Sequence, residues 1–110
     1  GFSSSFDCYD PNENERVQVK AASSNNELSS FGPNSVFDEL YFLDFFNQGQ
    51  YNGTFEIYKL GYNSTTIRQI QISSRETFGD VADGGKRPRF SIRKLINENN
   101  LNPIINGNLF

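Results

Sequence analysis

Apolar and polar positions alternate near the start of the chain, and this pattern predicts a β-hairpin. Residues 6–9 are mostly apolar or aromatic, turn-forming residues follow them, and RVQVK occupies 16–20. Because successive strand side chains point to opposite faces, Gln18 and Lys20 share one face and the two valines beside them share the other. We expect a turn of five to six residues, with the valines in the core and the polar pair lining a cleft.

Aromatic runs predict two further strands. The segment DELYFLDFF at 38–46 is almost continuously apolar, as expected for a central strand buried on both faces, although periodicity alone does not exclude a buried helix. The segment 54–60 reads as the next strand, and the Ser- and Asn-rich stretch 22–33 reads as a loop.

The second half of the chain mixes element types. Isoleucines in 65–73 predict another strand, and 76–83 predicts a short helical turn. Ser91 is a suitable N-cap for a helix that would end at Asn99. The Asn-rich tail 101–110 shows no element and is expected to pack only through its scattered apolar side chains.

Composition favours one compact domain over residues 1–110. Eleven Phe and five Tyr supply a large aromatic core although only 35% of residues are hydrophobic. One Cys and no His exclude a disulfide framework, His-based triads and ordinary zinc sites, which fits the cytoplasm. The longest apolar run is too short to span a bilayer. We expect an α/β or α+β domain with a central mixed β-sheet flanked by helices.

Charge is divided unequally along the chain. The net charge is −3, but residues 1–58 carry nine acidic and two basic side chains, whereas 59–110 carry four acidic and eight basic ones. Such asymmetry is compatible with a nucleic-acid partner that lies against the basic half.

The hairpin carries the candidate chemistry. Metal-dependent phosphodiesterases can hold a divalent cation between a carboxylate on one strand and a Gln-x-Lys on the next. Mg²⁺ prefers oxygen ligands, so Asp7, the Gln18 side chain and the Val19 carbonyl are candidate ligands, with Asp10 as the competing anchor. Lys20 would orient the attacking water and offset charge on the phosphate. An ordinary half-buried edge strand would show the same alternation.

Four blocks of sequence resemble a small family of type II restriction endonucleases. They are VQVKAAS (17–23), SSFGPNSVFDELYFLDFF (29–46), YNGTFEIYKL (51–60) and GGKRPRFSIRKLI (84–96). The family is similar in its core to the PD-(D/E)XK nuclease superfamily and cuts short, GC-rich, interrupted palindromes. The resemblance implies a restriction-endonuclease-like fold, Mg²⁺, double-stranded DNA as substrate, and a homodimer that matches the two-fold of the site.

The chain departs from the superfamily pattern in two ways. Gln18 replaces the usual Glu or Asp, and it binds a hard cation less strongly than a carboxylate, so Asp10, Glu15 or Glu27 would have to compensate. The helix that normally precedes the hairpin is expected to be missing from this single nuclease domain.

The segment GGKRPRF is the candidate DNA-contact loop. Arg is the commonest reader of guanine in the major groove, so Arg87 and Arg89 are expected to contact guanine. The cations expected at phosphates are Lys86, Arg93, Lys94 and Arg75. A solvated basic loop would look the same. Two other functions remain open: a DNA-binding module without catalysis, and a carbohydrate-binding β domain that uses exposed aromatic rings.

Overall fold

The computed structural model describes residues 8–109, and their centre is a mixed β-sheet. The strands are β1 Cys8–Asp10, β2 Glu15–Ala22, β3 Ser29–Ser30, β4 Glu39–Asp44, β5 Thr54–Lys59, β6 Arg89–Phe90 and β7 Ile105–Asn108. Five of them form one sheet in the order β1-β2-β4-β5-β7, in which β2 and β4 are parallel and the other neighbours are antiparallel. Strands β3 and β6 form a separate antiparallel pair.

The hairpin at the start of the chain is confirmed. Cys8 pairs with Val17 and Asp10 pairs with Glu15, so the turn has four residues, 11–14, rather than five or six. The Asp10 carboxylate accepts hydrogen bonds from two backbone N–H groups of the turn, at 2.9 and 3.3 Å. This local bond tightens the connection and shortens the loop.

The aromatic run does form the central strand. Strand β4 lies between β2 and β5, and its Leu40 and Phe42 side chains are fully buried. Its other face, with Tyr41 and Leu43, is only half-buried within residues 8–109, so complete burial on both faces was a wrong expectation there. The next strand, β5, is also confirmed.

Two short helices follow, each with a defined start. Helix α1 spans Phe78–Asp83 and begins with a capping box between Thr77 and Asp80. Helix α2 spans Ile92–Glu98, and the Ser91 hydroxyl accepts a hydrogen bond from the Lys94 N–H, as the sequence predicted. Neither helix, nor any other in the described range, is long and apolar enough to cross a bilayer.

Two predictions about the second half of the chain were wrong. Residues 65–73 do not form a strand; the chain makes a short 3₁₀ helix, Thr66–Gln69, because the Asn63 carboxamide accepts from the Thr65 and Thr66 N–H groups. The spacing of the isoleucines suits this turn, which buries Ile67 completely. The tail forms the edge strand β7, which pairs with β5.

The core lies on the face of the sheet that the sequence analysis assigned to a cleft. The parallel register pairs Gln18 with Leu40 and Lys20 with Phe42, and paired residues point to the same side. Residues from both helices join Leu40 and Phe42 in one hydrophobic cluster. The valines of β2 therefore lie on the opposite face, because the bulkier apolar residues of β4 determine which side the helices cover.

Candidate active site and DNA-contact loop

Strand β2 presents Gln18 and Lys20 on the helix-covered face of the sheet. Gln18 is buried, and the Lys20 side chain is half-buried beside it. A carboxamide and an ammonium at this depth are shielded from bulk water, which strengthens their interaction with any anion or cation that enters. The structure therefore brings these two predicted residues together on one face of the sheet.

Two contacts fix the Lys20 ammonium. Its Nζ donates a hydrogen bond of 2.7 Å to the Ser30 carbonyl, and it lies 4.8 Å from the centre of the Phe31 ring. A cation above an aromatic face is attracted by the ring quadrupole. The lysine is consequently oriented by Ser30 and Phe31, near the end of the 22–33 stretch, which sequence reasoning had not connected to it.

The segment 29–31 also contacts the basic loop GGKRPRF. Ser29 pairs with Phe90 and Ser30 with Arg89, and the Phe31 N–H donates to the Pro88 carbonyl at 2.9 Å. These backbone contacts place GGKRPRF beside the end of the Lys20 side chain, although almost seventy residues separate the two in sequence.

One side chain links the loop to the lysine directly. The Arg87 Nε donates a hydrogen bond of 2.9 Å to the Ser30 hydroxyl, while the Ser30 carbonyl accepts from Lys20. Ser30 thus contacts the predicted catalytic cation through one oxygen and a predicted DNA-reading cation through the other.

Aromatic packing supports the contact between residues 29–31 and the GGKRPRF loop. Phe31 stacks on Phe90 with ring centres 5.5 Å apart and meets the edge of Phe78 at 5.4 Å. Pro88 is almost completely buried, whereas Lys86, Arg87 and Arg89 on either side of it are exposed. The loop is therefore anchored through its apolar residues and projects its cations into solvent.

Arg93 occupies a different environment from the other predicted DNA contacts. Its Nε and Nη2 donate to Asp44 at 3.0 and 2.8 Å, and its Nη1 donates to the carbonyls of Ser24 and Asn25. The hydrogen bonds that Arg93 donates to Asp44 raise the pKa of Arg93 above its usual value. This placement disagrees with the expectation that Arg93 holds a phosphate, because its guanidinium is engaged inside the protein.

The other two predicted phosphate contacts are exposed. Lys94 lies on α2, and it lines a groove together with Arg89. Arg75 lies in the turn before α1, where its N–H donates to the Ser73 hydroxyl. The structure brings Lys94 near the basic loop but gives no contact that joins Arg75 to it.

The candidate carboxylates are separated from the lysine. Asp10 and Glu15 pair with each other on the face of β2 that carries the valines, opposite Gln18 and Lys20. Glu27 accepts from the hydroxyls of Ser29 and Ser91 and from two N–H groups at the start of α2. Asp10 and Glu15 are thus on the wrong face to act beside Gln18, and the Glu27 carboxylate is engaged by four donors.

The predicted metal site is tested only in part by the described residues. Between residues 8 and 109, no group of three or more His, Cys, Asp or Glu is arranged to hold a metal ion. Asp7, the predicted anchor, lies outside the described residues. The other predicted ligands, Gln18 and Val19, are neighbours on β2, and Gln18 shares a face of the sheet with Lys20.

Sequence reasoning missed two residues that build the site. Ser30 had no signal beyond its place in the SSFGP block. Asp44 did have one: a single acid inside a buried aromatic strand requires a partner, and a buried carboxylate is usually paired. That rule would have pointed to an arginine for Asp44 before the structure was known.

Comparisons with known proteins identify the family of this chain. A family model described as Bsp6I restriction endonuclease matches residues 2–99. The chain is also similar to the Type II restriction enzyme Bsp6I of Bacillus sp. (strain RFL6), with 36% identity over 100 residues, which cover 89% of this chain and 56% of that protein. The chain thus spans about half the length of this relative. No solved structure matches.

Proposed function

Because the chain belongs to the Bsp6I restriction endonuclease family, we propose that it hydrolyses phosphodiester bonds of double-stranded DNA at a short specific site, with Mg²⁺ as cofactor. The observation that supports this most directly is the junction at Ser30. It joins Lys20, an ammonium suited to a scissile phosphate, to the exposed basic loop. Lys20, as the proposed catalytic cation, and the cations of the basic loop, proposed for recognition, would then face the same bound DNA duplex.

Lys20 is proposed as the catalytic cation. Its ammonium is already held by the Ser30 carbonyl, so little reorganisation is needed when a phosphate arrives. A preorganised charge offsets the negative charge that builds on the phosphate in the transition state, and it can orient the attacking water.

The oxygen donors beside Lys20 suit a hard divalent cation. The buried Gln18 carboxamide and the Val19 carbonyl are proposed ligands, and Asp7 is proposed as the carboxylate because Asp10 lies on the other face. Bound there, Mg²⁺ would polarise the phosphoryl oxygen and lower the pKa of a water.

The exposed loop is proposed as the reader of sequence. Arg87 and Arg89 present donors that match guanine in the major groove. The cations proposed at phosphates are Lys86, Lys94 and Arg75. We exclude Arg93 from this set because Asp44 engages it. A palindromic target has two-fold symmetry, so a homodimer with one protomer on each half-site is proposed, acting on DNA in the cytoplasm.

A cleavage assay tests the proposal. Plasmid DNA is incubated with the protein and Mg²⁺, with EDTA in a parallel reaction. We expect discrete fragments with Mg²⁺ only, and a rate at least about 100-fold lower for Lys20→Ala, the usual effect of removing one preorganised donor. Lys59→Ala, on the exposed opposite face, is the matched control. Equal cutting by the two variants would remove Lys20 from catalysis.

A DNA-binding module without catalysis is the second candidate. It is favoured by the neutral Gln18 and by the lack of a clustered acidic site within residues 8–109. Tight DNA binding that neither needs Mg²⁺ nor produces fragments would establish it. The carbohydrate-binding alternative loses support, since the chain belongs to a restriction endonuclease family.

A further inference from the structure

Ser30 contacts two functional cations at once. Its carbonyl accepts from the Lys20 ammonium at 2.7 Å, and its hydroxyl accepts from the Arg87 Nε at 2.9 Å. The two oxygens belong to different parts of the residue, so a side-chain substitution can remove one contact and leave the other.

The bond to Ser30 restricts how Arg87 can face DNA. A guanidinium is a rigid plane with five N–H donors, and fixing Nε fixes the direction of the two terminal nitrogens. The terminal Nη1 lies beside the Gly32 backbone, 3.6 Å from where a Cβ would stand, so the group runs along the chain at 30–32. Arg87 as a whole remains exposed to solvent.

The backbone at Ser30 is itself held on both sides. The Ser29 hydroxyl donates to Glu27 at 2.6 Å, and the Phe31 N–H donates to the Pro88 carbonyl at 2.9 Å. Ser30 also pairs with Arg89 across the two-stranded sheet. The hydroxyl that orients Arg87 therefore has a fixed position relative to the Lys20 side chain.

We propose that Ser30 is a specificity-determining positioning residue: its hydroxyl orients the Arg87 fork toward a base edge, while its carbonyl holds Lys20 for cleavage. This inference rests on the proposed endonuclease function. It predicts that loss of the hydroxyl weakens discrimination between sites more than it weakens the chemical step, because the carbonyl contact to Lys20 survives.

The test compares Ser30→Ala with Ser30→Thr, which keeps a hydroxyl, and with Ser23→Ala in the exposed part of the preceding loop as control. Fragment ends from wild-type digestion first define the site. Duplexes that carry this site, or single-base changes in it, are then cleaved under steady-state conditions. Urea unfolding checks that each variant is folded.

For Ser30→Ala we expect kcat/KM discrimination between the site and its single-base variants to fall at least about tenfold, which is within the range of one bidentate base contact. The change should appear mainly in KM for the correct site and exceed any change in kcat. Ser30→Thr should recover most of the discrimination, and Ser23→Ala should match the wild type.

The possible outcomes distinguish this inference from the proposed endonuclease function on which it rests. If the wild type produces no fragments, both fail. If it cuts but Ser30→Ala discriminates as well as the wild type, only the inference fails. A fall in kcat without a change in discrimination, or no recovery by Ser30→Thr, would also overturn it, because Ser30 would then act through Lys20 alone or through packing.

Discussion

Replacing Arg93 with methionine should destabilise the protein without removing a DNA contact. The guanidinium makes two hydrogen bonds to the Asp44 carboxylate and two to loop carbonyls. The side chains of Arg93 and Asp44 are only 19% and 6% exposed. Methionine keeps much of the aliphatic stem but leaves Asp44 without its cation.

The expected loss follows from that burial. Removing one partner of a buried ion pair costs about 3–5 kcal/mol, because the remaining charge is left uncompensated. A domain of this size is stable by roughly 5–15 kcal/mol in total. With a urea slope of about 1–3 kcal/mol per molar, the midpoint should fall by about 1 M or more.

Two measurements distinguish this role from phosphate binding. Urea unfolding followed by circular dichroism gives the free energy of unfolding, and a salt titration of DNA binding gives the number of phosphate contacts. Arg93→Met should lower stability and leave the salt slope unchanged. Lys94→Met, at the neighbouring exposed position, should leave stability unchanged. It should reduce the salt slope of DNA binding by about one.

A double variant completes the argument. Arg93→Met with Asp44→Leu removes both charges, so it should be more stable than Arg93→Met alone. The reasoning would be refuted if Arg93→Met stayed within about 1 kcal/mol of the wild type and reduced the salt slope, since that pattern marks a surface contact to DNA.

Three further predictions concern single groups. Hydrogen bonds from Arg16 lower the pKa of Asp38 to about 2 from 3.8, so this carboxylate stabilises the fold above pH 3.8 and the contribution is lost as pH falls toward 2. Asp38→Asn should thus differ from the wild type in urea midpoint at pH 6 but not at pH 2; an equal difference at both would contradict the linkage. Burial raises the pKa of Tyr58 to about 12 from 10.0, so its contribution is present below pH 10 and lost as pH rises through 12. Absorbance titration should show a component near pH 12 that Tyr58→Phe removes, and its persistence in that variant would assign it to another tyrosine. Glu27→Gln should lower the free energy of unfolding by about 1–3 kcal/mol, because an amide cannot accept from all four donors; a stability equal to that of the wild type would show that these bonds contribute little.

Local signals predicted the elements that carry strong patterns. The first hairpin, the aromatic central strand and the N-cap at Ser91 all follow from alternation, apolar content and capping chemistry. Strand β7 was not predicted because its sequence, INGN at 105–108, has low β-propensity. It forms a strand only through its pairing with β5. Propensity does not register such tertiary pairing.

The sequence predicted which residues share a face at the candidate site, but it did not predict where these residues lie relative to the core. Gln18 and Lys20 do share a face, as the period-2 rule requires, but alternation cannot say which face the helices cover when both carry apolar residues. Arg93 sits in a basic run and looks like a DNA contact. Only the fold shows that Asp44, almost fifty positions earlier, engages it.

The two-stranded pair β3–β6 contains only two residue pairs, yet it holds the segment GGKRPRF beside the Lys20 side chain. Such a small ladder should open locally at a lower free energy than the five-stranded sheet. Heating should therefore separate the GGKRPRF segment from Lys20 before the whole domain unfolds. Amide hydrogen exchange at Phe31, which donates across this pair, should be faster than at Phe42 in the sheet centre, and activity should decline below the melting temperature.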